Sequence, residues 1–516
     1  MRSYILLLLL AIPGLLAAQS KLQLVGQLPY PLATLAGCWH YVDSTAGEWA
    51  LVGTSQGLSV VDLEVPAQPV ERFMVPGLPN NWREVKTWNG FAYVGSEATG
   101  SGITIVDLRS LPDTIYWKVW LGDGEPDSLV DRSHTVQAEA GFLYVFGNNK
   151  STPGGGATIA DLADPWNPHV IGKYTANYVH DGFIRGDTLW TSEIYKGQFG
   201  VVDLADKTAP QLLITNPTPG AFNHNTGLSD DSHYLFSTDE QSGAPLGSFD
   251  VSDLENITLL DRYYPSQKPN QEVHNVRVFG DYLVNPSYGG QLTIVDATYP
   301  DNLIETAWAI VGNSLVWDAD PYLPSGLIFA SAKNEGLFIF QPTYQHAAWL
   351  QGLITDAATG ELLNNTTVLV LNTPNTDLTL ANGQYKTGAD SSGSYTVQVQ
   401  RSGYVTQIIP VTLFSGQITV LDVALSAVVA TDQPIGQEAI QVWPTLFSDR
   451  LTVELSPDSR YSAARLLDAQ GKSVLESRLS GPVTNLAIPA VLPPGVYVLQ
   501  LLGKNEAARS FRVVRG

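Results

Sequence analysis

Histidines occur at a repeated place in this 516-residue sequence, before successive strand-like segments. Five of the eight histidines stand there: His40, His134, His180, His224 and His274. Two further copies of the segment have Trp82-Arg83-Glu84 and Trp317-Asp318 at that place. Neutral imidazole together with carboxylate suits zinc, manganese, iron or copper. The spacing therefore predicts a set of polar side chains at one position of a repeated unit.

The unit that carries these residues is about 45 residues long. One strand-like segment of each unit ends in an acidic residue, or in its equivalent, at 62, 107, 161, 203, 250, 296 and 341. These positions are separated by 45, 54, 42, 47, 46 and 45 residues. Such a period with four strand-like segments is typical of a β-propeller blade. The sequence predicts an all-β chain, with a seven-bladed β-propeller over 19–345 followed by two small β-sandwich domains.

The predicted propeller is closed by its N-terminus. Residues 21–29 resemble the fourth strand of an internal unit, whereas the seventh unit lacks that strand. We expect residues 21–29 to complete the last blade, which leaves no unpaired edge between the first and last blades.

The residue that opens each innermost strand of a propeller lies at one face, around the central channel. Two hypotheses follow for this face. As a metal site it would use His134, His180, His224 and His274 with Asp181, Glu193 and Asp239; as a ligand-binding surface it would use His40, Trp82, Arg83, Trp317 and Asp318. Repeats also copy residues for structural reasons, with histidines bonding backbone carbonyls. The sequence alone slightly favours the structural role over the metal site.

Other acidic residues have simpler interpretations. The recurrent aspartates, such as Asp62 and Asp161, each precede a turn, where the side chain bonds backbone N–H groups. The loop 123–131 carries four carboxylates that could bind calcium, but it lacks EF-hand spacing. We predict a solvated acidic loop there.

Charge and composition exclude several classes of function. The chain has 50 acidic and 28 basic residues, for a net charge of −22. Such a surface repels phosphate, so nucleic-acid partners are not expected. Residues 1–18 are typical of a secretory signal peptide, and no later segment is long and apolar enough to span a membrane. The single cysteine, Cys38, excludes an intrachain disulfide framework.

Three segments resemble known families. The Val60-Val61-Asp62 and Ile294-Val295-Asp296 strands resemble those of LVIVD-repeat propellers of secreted bacterial proteins, also called choice-of-anchor B. Residues 349–426 resemble a carboxypeptidase-regulatory-like or Cna B-type sandwich, which implies a spacer or stalk. After a linker at 427–436, residues 437–516 are similar to the C-terminal sorting domain of type IX secretion in Bacteroidota. Gly495-Val496-Tyr497 matches its motif, whereas Pro444-Thr445-Leu446 stands where the family has Pro-Asn-Pro.

These resemblances imply a secreted or outer-surface protein that passes through the periplasm and meets the type IX secretion machinery. The expected function is binding or adhesion, with an extracellular glycan, peptide or protein as ligand. The alternative is a metal-dependent hydrolase or oxidoreductase that uses the histidines at the channel mouth.

Overall fold

The computed structural model describes residues 19–148, 152, 154–428, 440–456, 459–468, 470–503 and 508–516. The predicted signal peptide at 1–18 and residues 429–436 of the predicted linker lie outside the described residues. The chain divides into two compact units, Met1–Ala427 and Val428–Gly516.

Seven antiparallel sheets, six with four strands and one with five, make up the larger part of the first unit. The chain begins with β1 (Gln19–Ser20) and β2 (Leu22–Leu28). Blades 1 to 3 contain β3 (Leu35–Val42), β4 (Glu48–Thr54), β5 (Gly57–Asp62), β6 (Val70–Pro76), β7 (Arg83–Trp88), β8 (Phe91–Ser96), β9 (Ile103–Asp107), β10 (Tyr116–Trp120), β11 (Val136–Glu139), β12 (Phe142–Phe146), β13 (Ala157–Asp161) and β14 (His169–Tyr174). Single 3-10 turns lie at Pro126–Ser128 and Ile194–Lys196.

The remaining blades follow the same order. Blades 4 to 7 contain β15 (Asp181–Arg185), β16 (Thr188–Glu193), β17 (Gln198–Asp203), β18 (Gln211–Pro217), β19 (Asn223–Leu228), β20 (Tyr234–Asp239), β21 (Leu246–Asp250), β22 (Thr258–Tyr263), β23 (Arg277–Phe279), β24 (Tyr282–Ser287), β25 (Gln291–Asp296), β26 (Ile304–Ile310), β27 (Val316–Asp320), β28 (Ile328–Ala332) and β29 (Gly336–Pro342). Seven blades and the all-β class confirm the predicted fold.

The N-terminal strand supplies the fourth strand of blade 7. β2 pairs antiparallel with β29, from Leu22 opposite Pro342 to Leu28 opposite Leu337. This pairing is the one that the sequence predicts for residues 21–29. β1 adds to the outer edge of blade 6 by pairing with β26. The N-terminal strand β2 and the last propeller strand β29 thereby share one sheet, so the ring is closed by backbone hydrogen bonds.

Apolar side chains fill the spaces between neighbouring blades. Leu51 and Val60 of blade 1, for example, pack with Val85 and Val94 of blade 2 in one buried cluster. Strands covered by a blade on each face are apolar on both sides, which explains why β4, β8 and β16 are almost continuously buried.

The recurrent aspartates are turn residues, as predicted. Each accepts a hydrogen bond from the backbone N–H two residues later: Asp62 from Glu64, Asp107 from Arg109, Asp161 from Ala163, Asp203 from Ala205, Asp250 from Ser252 and Asp296 from Thr298, at 2.7–3.1 Å. Their carboxylates serve the turn between the third and fourth strands of blades 1 to 6.

A small sandwich follows the propeller within the first unit. Its strands are β30 (Ala348–Asp356), β31 (Thr367–Val370), β32 (Thr376–Leu378), β33 (Gln384–Ala389), β34 (Gly393–Gln400), β35 (Gln407–Leu413), β36 (Ile418–Val420) and β37 (Val423–Leu425). They form one sheet around β30 and another in the order β32-β31-β34-β35. Trp349 lies buried against blade 6 and donates its indole N–H to the Asn302 carbonyl at 3.2 Å. The sandwich is therefore packed directly on the propeller.

The second unit has its own apolar core. Its strands are β38 (Ile440–Trp443), β39 (Leu446–Phe447), β40 (Arg450–Leu455), β41 (Tyr461–Leu467), β42 (Ser473–Arg478), β43 (Val483–Ala487), β44 (Gly495–Gly503) and β45 (Arg509–Arg515). A three-stranded sheet and a five-stranded sheet enclose a cluster that includes Leu451, Leu466, Leu499 and Val513. This is the second small sandwich that the sequence predicts.

Closure of the ring depends on the packing of β2, which gives a test. Leu22 is 1% exposed in the core of blades 6 and 7, whereas its neighbour Gln23 is exposed. We expect Leu22→Ala to lower the free energy of unfolding by about 2–5 kcal/mol, the usual effect of a cavity in a core. Gln23→Ala should change it by less than about 0.5 kcal/mol. Chemical denaturation measures both, and equal effects would contradict closure by β2.

Candidate functional site

The innermost strands β3, β7, β11, β15, β19, β23 and β27 surround a central channel. Hydrogen bonds join neighbouring strands around it. Asn225 donates to Asp181 of the previous blade at 2.6 Å and accepts from the Val276 N–H of the next at 3.0 Å. These strands all run in the same direction, so the channel has one mouth where they begin, called the histidine mouth below, and a far mouth where they end.

Four histidines lie side by side at the histidine mouth. His134, His180, His224 and His274 come from blades 3 to 6, and successive ring centroids are 3.8, 4.4 and 4.0 Å apart. We call this set the histidine row. His180, His224 and His274 are at most 6% exposed, so the imidazoles are almost withdrawn from solvent.

Hydrogen bonds orient the rings. His134 Nδ1 lies 2.5 Å from Glu97 Oε1, His180 Nδ1 is 3.2 Å from the His224 carbonyl oxygen, and His274 Nδ1 is 2.6 Å from that of Trp317. A carbonyl oxygen only accepts, so Nδ1 of His180 and of His274 must carry the proton. In a neutral imidazole the lone pair is then on Nε2. Such second contacts are the usual way in which proteins fix a metal-binding tautomer.

Burial keeps most of the histidine row neutral. It lowers the pKa of His180 and His224 well below the ordinary value, and neighbouring histidines add to the effect. The pKa of His274 is lowered to about 3 by the same burial. Burial also lowers the pKa of His134, but the hydrogen bond and negative charge of Glu97 outweigh it, so the net direction is upward. Neutral imidazole is the form that binds metals.

Two groups of potential metal ligands converge within the histidine row. One nitrogen each from His134, His180 and His224 lie within 4.8 Å of one another, as do ligand atoms of His224, Glu240 and His274. Among the described residues these two groups are the ones close enough to share an ion. His224 Nδ1 and His274 Nε2 are buried without a hydrogen-bond partner in that part of the chain. Buried imidazole nitrogens without partners are unfavourable unless something binds them.

A charged layer lies deeper in the channel. Arg277 makes a two-pronged ion pair with the fully buried Asp318, with Nη2 to oxygen distances of 2.7 and 2.8 Å. Glu84 accepts the Trp317 indole N–H at 2.8 Å across the channel. A Cβ on Gly37 would lie 1.9 Å from Glu84 Oε2, so glycine makes room for this carboxyl group. Burial, together with the charge of Asp318, raises the pKa of Glu84 to about 7.

The residues predicted for ligand binding divide among three places. Trp82 is 41% exposed beside the histidine mouth, and Trp317 is buried there. His40 does not join the histidine row: it pairs with Ala50 late in β3 and bonds Asp320 at 2.8 Å, toward the far mouth. The repeat spacing predicts His40 at the same position as the other four histidines. β3 is longer than the other innermost strands, so His40 lies further along its strand than they do.

Arg83 and Asp318 serve the fold instead of offering a surface. Arg83 is 2% exposed and donates to the carbonyl oxygens of Thr54 and Leu78. Side chains alternate along a strand, so Arg83 points between blades while Glu84 points into the channel. Both carboxylate oxygens of Asp318 accept hydrogen bonds from Arg277.

The carboxylates predicted to complete the metal site also lie elsewhere. Glu193 of blade 4 accepts hydrogen bonds from Tyr174 of blade 3, from Asn177 in the connecting loop and from Gln198 of its own blade. Asp239 accepts the Gly220 and Phe222 N–H groups and the Thr218 hydroxyl at a loop, and Asp181 belongs to the charged layer. Glu97 and Glu240 are the acidic residues beside the histidine row.

The acidic loop at 123–131 turns outward. Asp123 accepts the Val170 N–H at 3.0 Å and pairs with His169 at 2.8 Å, while Glu125 and Asp127 are exposed. Within the described ranges the loop brings no three carboxylates within 4.8 Å of one another, which agrees with a solvated loop.

Sequence reasoning missed Lys86, Arg277 and Tyr322, which line the far mouth. A signal was present in β7: Glu84 and Lys86 are two residues apart and therefore face the same side of the strand.

Comparisons with known proteins find two similarities. Residues 350–426 match the carboxypeptidase regulatory-like domain family. The chain is also similar to the crystal structure of a putative 6-phosphogluconolactonase from Bacteroides uniformis, at 11% identity and a TM-score of 0.46, over 64% of this chain and 94% of that one. No curated protein matches the chain significantly. Among the described residues, no helix is long and apolar enough to cross a membrane.

The raised pKa of Glu84 predicts a pH dependence. Between pH 4.5 and about 7 the folded chain retains a proton that the unfolded chain has lost. The free energy of unfolding therefore falls as pH rises through this window, by up to about 1.4 kcal/mol per pH unit, and levels off above it. Glu84→Gln keeps the acceptor for Trp317 without the titration. We expect the stability of the variant relative to wild type to rise from pH 4.5 to 7 in denaturation experiments.

The control for this test is Glu125→Gln, which alters an exposed carboxylate. Its difference from wild type should be small and independent of pH. An equal stability difference at pH 5 and pH 7.5 for Glu84→Gln would contradict the raised pKa.

Proposed function

We propose that this chain is an exported propeller that binds an extracellular ligand through a transition-metal ion at the histidine mouth. The observation that carries the proposal is the convergence of His134, His180 and His224, whose ligand atoms lie within 4.8 Å of one another. Convergence separates this site from a repeat position that is merely copied between blades. Zinc, copper, nickel or iron suits an all-imidazole donor set.

The metal would be held by three imidazoles, and Glu97 would orient His134 through its Nδ1. When bound, the ion supplies a Lewis-acid centre with a coordination position left for a ligand donor atom. Exposed aromatic side chains stand beside it: Trp82 is 41% and Tyr195 73% exposed, and Tyr195 lies 4.9 Å from Tyr178 between ring centroids. Aromatic faces around a polar centre suit a glycan hydroxyl, a peptide carboxylate or a protein loop.

Binding has more support than the enzymatic alternative. A hydrolase would need a general base beside the metal. The two carboxylates beside the histidine row are engaged by other side chains: Glu97 Oε1 lies 2.5 Å from His134 Nδ1, and Glu240 accepts the Tyr288 hydroxyl at 2.9 Å. Glu84, whose pKa is raised to about 7, accepts its hydrogen bond from Trp317 in the charged layer and belongs to neither group of clustered ligands.

Export is the second part of the proposal. The signal-like residues 1–18 and the similarity of 437–516 to a type IX sorting domain support passage through the periplasm to the cell surface. The blade motif supports an LVIVD-type, choice-of-anchor B propeller. The second unit has a separate core, as a sorting domain that can be transferred between proteins requires.

Metal binding is directly measurable on the purified chain. We expect one zinc or copper ion per molecule by isothermal titration and elemental analysis. His224→Ala should weaken binding at least about a hundredfold, since it removes one of three ligands. His233→Ala is the matched control, because that side chain is 60% exposed, and it should leave binding unchanged. Absence of stoichiometric metal in wild type, or equal loss in both variants, would contradict the site.

The tail can be tested by transfer. Residues 437–516 fused behind a periplasmic reporter should carry it to the surface or medium of a type IX-competent bacterium, and the full chain lacking 437–516 should accumulate in the periplasm. Cell fractionation with immunoblotting measures both. The reporter without the tail is the control. Equal periplasmic retention of the two reporters would contradict the sorting role.

A further inference from the structure

A cavity lies at the far mouth of the channel, away from the histidine row. Its volume is 470 Å³, within the range of small-molecule sites. It is lined by the ends of the innermost strands, including Trp39, Lys86, Phe183, Arg277 and Tyr322. Arg277 belongs to the charged layer, and the other lining residues lie on the side of it away from the histidine row, so the cavity is distinct from the proposed metal site.

Lys86 supplies a cationic side chain to the wall of this cavity. Its side chain is 2% exposed, and it donates no hydrogen bond to any residue that the structure describes. Its Nζ lies 3.8 Å from the centroid of the Trp39 ring. Burial lowers the pKa of Lys86, and the charge of Arg277 acts in the same direction. A buried ammonium with three unused donors is unfavourable unless an acceptor enters the cavity.

Arg277 presents another unused donor next to it. Its Nε and Nη2 bond Asp318, which leaves Nη1 without a partner among the described residues. Its Cζ lies 5.7 Å from the same Trp39 ring, so the two cations flank one indole.

The nearby buried carboxylates are already satisfied by the protein. Asp318 is held by Arg277 and Asn275, and Asp320 accepts from His40 and the Tyr322 N–H. Two more acids line the cavity, Glu139 and Asp230, and both are exposed. The interior of the cavity therefore offers unused donors, and its complement is a ligand that accepts hydrogen bonds and carries negative charge.

We propose that the far-mouth cavity binds a small organic carboxylate, with Lys86 Nζ and Arg277 Nη1 as donors and the Trp39 and Tyr322 rings against its apolar part. The aromatic wall distinguishes this ligand from an inorganic anion, which would leave that wall without a contact. The cavity adds a second ligand site to the propeller, independent of the metal.

Titration calorimetry on the full chain tests the proposal with benzoate as probe. Benzamide has the same shape without the charge, and we expect it to bind at least about tenfold more weakly. Lys86→Met, which keeps the packing volume, should weaken benzoate binding by a similar factor. The control is Lys118→Met: Lys118 lies 5.0 Å from the Trp166 ring on an outer strand, and its loss should have no effect. His224→Ala should bind benzoate like wild type, which separates this proposal from the metal site.

A measurement on wild type covers the case in which Lys86→Met fails to fold. Benzoate should slow reductive methylation of Lys86 at least about fivefold, as read by peptide mass spectrometry, and leave Lys118 unaffected. Equal affinity for benzoate and benzamide, or unchanged methylation of Lys86, would overturn the proposal. Inorganic phosphate binding as tightly as benzoate would overturn the assignment to an organic ligand.

Discussion

The pairing of β2 with β29 is the constraint on which the rest of the first unit depends. Only a closed ring brings seven innermost strands around one channel, because an open array would leave blades 1 and 7 with unpaired edges and uncovered apolar faces. The histidine row requires this geometry, since its members come from four blades and lie 44 to 50 residues apart in sequence. Closure therefore brings histidines from one repeated sequence position in four blades into contact.

The closed channel also explains the buried charge. Lining a narrow channel with charged groups removes them from water, which is costly unless each finds a partner. Asp318 and Arg277 satisfy each other, and Glu84 is stabilised as the protonated acid by its surroundings. Among the described residues, the groups without a hydrogen-bond partner include His224 Nδ1 and His274 Nε2 at one end, and Lys86 and Arg277 Nη1 toward the other. Both proposed binding sites therefore lie at the mouths of the channel, whereas Arg277 and Asp318 are paired with each other in its middle.

The fold was predictable because it depends on periodicity. The interval near 45 residues, the turn aspartates and the extra N-terminal strand fix the blade number, the sheet order and the closure. The site was only partly predictable. Four of five aligned histidines converge, but His40 does not, because the length of β3 shifts its register. Glu193 bonds side chains of its own and the preceding blade, and Asp239 bonds its adjoining loop. The residues that surround Lys86 come from blades far apart in sequence. No local pattern encodes such contacts.

The metal ion proposed for the histidine row can be located directly by crystallography. Crystals of the full chain grown with zinc and measured on both sides of the zinc absorption edge test this proposal most directly. We expect one dominant anomalous peak among the imidazoles of His134, His180 and His224, with His134 still bonded to Glu97. No peak there, or an equal peak at surface histidines such as His169 and His233, would contradict it.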